Sequence, residues 1–255
     1  MMKKILVAVA LFLAVGNVKS QQKTTDNTST TGKRDLKKSA IDLSNRANDH
    51  FMVQLGYENW SGANIVYGPK GFSRYFNVYF MLDKPSKSNP HISLGYGIGL
   101  STNNYFFNDV FIDIKSNNTT MPFSDTKNSS DNKFKKFKLA TDYLEIPLEL
   151  RYADNVEEPN KGFKASLGLK LGLLLKAYTK GKNQINENGA SLYGSGYIVK
   201  EQDKHYFNTT KAAVTGRVGI GFISLDGSYQ LTSLLKSSAG PTINPWSIGI
   251  TLSGL

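Results

Sequence analysis

The side chains in this sequence that could do chemistry are charged groups set at alternate positions in otherwise apolar stretches. Glu58, Glu145, Glu149 and Asp226 share this placement with Arg151, Lys170 and Arg217. Each falls on the small or polar side of a segment whose other side is aliphatic or aromatic. Enclosed charges of opposite sign pair with one another. Their chemistry is mutual neutralisation, or a narrow polar path if a passage remains between them. A second set lies in a polar stretch. Lys133, Lys135, Lys136 and Lys138 have Phe134 and Phe137 interleaved, and Lys180, Lys182, Lys200 and Lys204 follow farther on. Clustered ammonium groups bind phosphates as point charges. Such a run is also the pattern of a solvated surface.

Covalent catalysis finds less material. The chain has 3 histidines, His50, His91 and His205. His50 and His91 fall at one end of their segments and His205 at the other, with no serine beside it on a shared face. A hydrolytic or acyl-transfer site needs nucleophile and base within reach of each other. No catalytic residue is expected, so the chain reads as a non-enzyme, and a lipid-modifying enzyme is the remote alternative. Neither the histidines nor the carboxylates show metal-ligand spacing, so no metal and no cofactor are called for. The absence of Cys excludes a disulfide framework, a thiolate metal site and an acylated N-terminal cysteine. The net charge of +11 could serve nucleic acid, yet there is no Arg-rich helix or RNA-binding signature. An anionic membrane surface accounts for the charge equally well.

The elements that carry these residues alternate with period two. Residues 163–178 read FKASLGLKLGLLLKAY. The odd positions from Ala165 to Ala177 are aliphatic, and the even positions are mostly small or basic, ending in Lys176 and Tyr178. That pattern is a strand. Similar segments cover 51–60, 72–82, 91–101, 143–152, 210–222, 224–231 and 245–253. The connections between them alternate between long polar loops and short turns. An up-and-down antiparallel barrel of eight strands, crossing a membrane with long extracellular loops and short periplasmic turns, fits this order. The strand-like stretch 105–114 leaves a ten-stranded closure open. The other face separates a membrane barrel from a soluble lipocalin-like carrier. It holds Gly and Ser, as in Ser93-x-Gly95-x-Gly97-x-Gly99-x-Ser101, which suits a crowded lumen better than water.

Residues 1–20 have a basic start at Lys3 and Lys4, an apolar run too short for a spanning helix, and a cleavable Val18-Lys19-Ser20. They read as a signal peptide for Sec-type export. Residues 21–48 read as a disordered polar leader, and residues 49–255 as the barrel domain.

The stretches GFSRYFNVYFMLDKP, KLATDYLEIPLELRY, KLGLLLKAYTKGKN, FNTTKAAVTGRVGIGFISLDGSYQLTSLLK and PWSIGITLSG resemble the PorT-like outer-membrane β-barrel family of Bacteroidetes-type bacteria. The resemblance covers about residues 48–255. It implies an eight-stranded outer-membrane barrel and a signal sequence, and carries over no catalytic residue. The family takes its name from a member that serves a secretion system. One departure is the end of the chain. Where such barrels usually place an outward aromatic, the last outward position here is Gly254.

The expected role is structural or adhesive, with outer-membrane lipids and lipopolysaccharide as partners of the basic patch and a protein partner possible at the extracellular loops. No nucleic acid is expected, and the barrel reads as a monomer. Replacing Lys133, Lys135 and Lys136 by alanine is expected to weaken binding to lipid A. An accessory role in protein secretion is the alternative.

Overall fold

The computed structural model describes residues 49–62, 67–127 and 133–254. The expected signal peptide and leader lie outside them. The described chain is all strand and turn, with no helix long and apolar enough to cross a membrane. Eight strands close a ring: β1 (Asp49–Ser61), β2 (Arg74–Pro85), β3 (Ile92–Phe107), β6 (Lys133–Ala153), β7 (Phe163–Ile185), β9 (Thr210–Ile220), β10 (Ile223–Gln230) and β11 (Asn244–Ser253). Every pairing is antiparallel, and β1 against β11 closes the barrel. Three short strands stand outside the ring. β4 (Val110–Ile112) and β5 (Phe123–Asp125) form a separate hairpin, and β8 (Ile198–Gln202) pairs with the far end of β7. The strand-like stretch after Tyr105 therefore feeds β3 and this hairpin, and the ring stays at eight.

The two faces of each strand are sorted as alternation demands. Leu167 is 72 % exposed and Ile220 71 %, whereas Glu145 and Gln54 are 0 % exposed. Apolar rows outside and polar groups inside are the pattern of a barrel in lipid. A lipocalin-like carrier would need the reverse, so that alternative falls. Glycine at inward positions makes room for the polar filling. A Cβ on Gly95 would collide with the Arg151 guanidinium.

Three sequence expectations need correction. First, β6 and β7 are far longer than a bilayer crossing, at 21 and 23 residues. The lysines read as loop residues, Lys133 to Lys138 and Lys180 to Lys182, are in fact strand residues. Second, the alternation of β7 does not continue to Tyr178. Tyr143 pairs with Leu174 and Asp142 with Lys176, leaving Leu175 as a bulge. A bulge shifts every later side chain to the opposite face. Ala177 is buried inside, and Lys176 and Tyr178 turn outward. Third, the long connections are not simply polar. They fold together over one end of the barrel.

Candidate functional site

Inside the barrel the buried charges gather in local hydrogen-bonded and ion-paired groups. Near the short-turn end, Glu149 Oε2 accepts from Arg151 Nε at 2.9 Å and from Arg217 Nη2 at 2.6 Å. Arg151 Nη1 also lies 3.5 Å from Asp83 Oδ1, which accepts from Ser93 Oγ at 2.7 Å. At mid-height Glu145 accepts from Tyr79 Oη at 2.5 Å and forms an ion pair with Lys211, whose Nζ lies 2.8 Å from Glu145 Oε1. Lys170 reaches its counter-charge indirectly. Its Nζ donates to Gln54 Oε1 at 2.7 Å, Gln54 Nε2 donates to Thr251 Oγ1 at 2.9 Å, and Thr251 Oγ1 donates to Asp226 Oδ1 at 2.7 Å. Tyr75 Oη completes Asp226 at 2.5 Å. Toward the long-loop end Tyr105 Oη donates to Glu58 Oε1 at 2.8 Å.

All seven charges singled out in the sequence thus face the lumen, joined by Asp83, Lys164 and Lys211. The acids Glu58, Asp83, Glu145, Glu149 and Asp226 are matched in number by the bases Arg151, Lys164, Lys170, Lys211 and Arg217. Asp83, Lys164 and Lys211 were legible from the same parity: each shares the phase of an inward neighbour on its strand. The tyrosines and Gln54 carried no such signal, because an uncharged side chain on the inner face need not take part in ion pairing.

Above Glu58 the lumen ends in an apolar plug. Phe107 at the end of β3, and Ile112 and Ile114 from the connection after it, pack with Phe207 and with Leu234 and Leu235. Phe137, Leu139 and Leu174 line the wall around them. The contributing loops are tied to one another. Met121 N donates to Ala239 O at 2.8 Å, Asn208 Nδ2 to the carbonyls of Ser233 and Leu235 at 2.7 Å each, and Tyr206 Oη to Ser116 O at 2.7 Å. A charged filling beneath an apolar plug favours a closed lumen. Planar-bilayer recordings of the purified protein are expected to show no discrete conductance. Unitary steps would mean that the plug opens.

Outside the barrel, register assembles a basic cluster from three strands. Lys138 lies opposite Lys180, and Lys180 opposite Lys200, making one outward rung of three lysines. The next rung outward pairs Lys136 with Lys182. Just below, Tyr178 receives the Lys200 ammonium at 4.1 Å from its ring centroid and that of Lys138 at 5.7 Å. Lys138 Nζ also donates to Asn104 Oδ1 at 2.6 Å, and the Arg74 guanidinium lies 5.0 Å from the Phe106 ring centroid. Burial, with Lys180 and Arg74 alongside, holds the Lys138 ammonium below the usual lysine range. The cluster sits directly above the exposed aliphatic band of Leu171, Leu173 and Leu175. Lys136 and Lys138 of the expected basic patch belong to it. Lys133 does not, because it pairs with Asp109 at 2.8 Å, and Lys135 is exposed without a cross-strand lysine partner.

The histidines are placed apart. His91 stacks on Tyr152 with ring centroids 6.0 Å apart, and His205 Nδ1 lies 2.8 Å from Asp203 Oδ1. No group of three or more His, Asp or Glu among the described residues could hold a metal ion.

The family profile for the outer membrane protein beta-barrel domain matches residues 70–236, more than half of the chain's 255 residues. This chain belongs to the outer-membrane protein β-barrel domain family. It is therefore an outer-membrane protein, and in such barrels the long-loop end faces the outside. No curated protein matches this outer-membrane barrel. Among solved structures it is similar to Ail, the attachment invasion locus protein of Yersinia pestis, in complex with the heparin analogue sucrose octasulfate. The identity is 12 % over 81 % of this chain and 97 % of that one, with a TM-score of 0.35. It is also similar to Neisserial surface protein A, at 11 % identity over 81 % and 96 % of the two chains and a TM-score of 0.37. The plug and the lysine rungs of this outer-membrane barrel lie at its extracellular end, and the Glu149 cluster lies near its periplasmic end.

Proposed function

We propose that this barrel is a non-catalytic surface-interaction protein that holds lipopolysaccharide phosphates through its outward lysine rungs. The observation that supports the reading is the position of Lys138, Lys180 and Lys200 on one rung just above the lipid-facing leucines. That is the height at which the phosphates of an outer-leaflet glycolipid meet the protein. Tyr178 beneath the rung suits the boundary between chains and headgroups, where amphipathic rings concentrate. The reading includes Sec-type export with cleavage after residue 20, and a monomeric barrel. Its test is on the ligand. The protein in nanodiscs is expected to bind bis-phosphorylated lipid A and to lose that binding with the dephosphorylated form. Equal binding of both forms would remove the phosphate contact.

The stretches that resemble the PorT-like group support a second reading, an accessory component of a protein secretion system. Deleting the gene would then cause a secretion defect, and the protein would co-purify with secretion components. Normal secretion in the deletion strain would dismiss it.

A further inference from the structure

Beyond the barrel wall, β8 is a strand with one neighbour. It pairs with β7 and with no other strand among the described residues. The phase of that pairing follows from its two ends. Asn183 N donates to Tyr197 O at 2.8 Å, and Asp203 N donates to Ala177 O at 3.1 Å. In an antiparallel ladder, residues that exchange hydrogen bonds alternate with residues that do not. Val199 and Glu201 therefore bond β7. The N–H and C=O groups of Ile198, Lys200 and Gln202 point away from it, to an edge where no described backbone or side-chain group meets them. The side chains of these same three residues are exposed.

We propose that this edge takes up an extended, acidic segment of a partner protein as an added strand. The reading rests on the surface-interaction role proposed above and assigns it a second contact, made by backbone instead of ammonium groups. An open edge offers main-chain hydrogen bonds for affinity, and alternate side chains set specificity. Here the central edge residue is Lys200, at the end of the row formed with Lys180 and Lys138. A strand added at the edge extends that row, so its residue beside Lys200 meets three crowded cations and favours a carboxylate. A second copy of β8 fits poorly. Antiparallel pairing centred on Lys200 would set Lys200 against Lys200, and like charges directly opposite destabilise a pair.

The test separates backbone from charge at one position. The full chain in nanodiscs is titrated with a labelled heptapeptide of alternating glutamate and valine, and with the same peptide carrying a central proline. Lys200→Ala removes the ammonium and keeps the edge N–H. Lys200→Pro removes both, and proline is tolerated at an edge whose N–H faces solvent. The wild-type protein is expected to prefer the alternating peptide. Lys200→Ala is expected to bind it several-fold more weakly, and Lys200→Pro about tenfold more weakly still, since the main-chain bond and the fit of the strand are lost together. An unchanged heat-shifted mobility on gels checks that both variants are folded. Equal affinities of Lys200→Ala and Lys200→Pro, or no preference between the two peptides, would overturn strand addition. Failure of the lipid A test with an intact peptide result would reject the lipid reading alone.

Discussion

Glu149→Ala is expected to produce the largest loss of stability of any single substitution in the lumen. Glu149 is 1 % exposed and is the shared acceptor of Arg151 and Arg217. Removing it takes the shared carboxylate from both guanidinium groups, leaving Asp83 at 3.5 Å from Arg151 and Ser166 at 3.2 Å from Arg217 among their described neighbours. Breaking a buried pair from one side costs about 3–5 kcal/mol, because the remaining charge is uncompensated. The readout is the temperature at which the folded, fast-migrating band converts to the unfolded one. A marked drop is expected for Glu149→Ala. Combining it with Arg217→Met, which removes the stranded charge and keeps volume, should recover part of the loss. A double variant no better than the single would mean that Glu149 acts through packing and not through charge.

The second large effect falls on the outer surface. Replacing Lys138, Lys180 and Lys200 together by alanine is expected to weaken binding to phosphorylated lipid A about a hundredfold. That figure follows from about 1 kcal/mol for each cation held near an anionic membrane surface. The matched control is a triple alanine variant at Lys115, Lys127 and Lys133, which changes the net charge equally but lies off the rung. It should leave the affinity nearly unchanged. If both triple variants weaken binding alike, the attraction is to net charge and the rung is not a site. Raising the salt concentration should narrow the gap between wild type and the rung variant, since exposed charges are screened within a few ångströms at molar ionic strength.

Much of this architecture was legible from residue types alone. Alternation of apolar and small or polar residues is a local signal with period two. It placed Glu145, Glu149, Arg151, Lys170, Arg217 and Asp226 on a common inner face before any strand was paired. The Gly and Ser on that face argued for a lumen and against water. The broad family resemblance agrees with the profile match over residues 70–236.

What the chain alone determined is which face each residue takes, as long as the alternation is unbroken. The tertiary structure decided the rest, for two physical reasons. A bulge has no residue signature of its own in this strand: Leu175 continues the leucine row, and only the pairing of Asp142 with Lys176 shows that the phase has turned over. That turn puts Tyr178, Lys180 and Lys182 on the outside. Neighbours across strands, in turn, are set by register. Lys138, Lys180 and Lys200 are far apart in sequence, so their meeting on one rung depends on hydrogen-bond alignment that no local pattern encodes. The plug is non-local in the same way, since Ile112, Phe207 and Leu235 come from separate connections and become a core only when the barrel brings those connections over one opening.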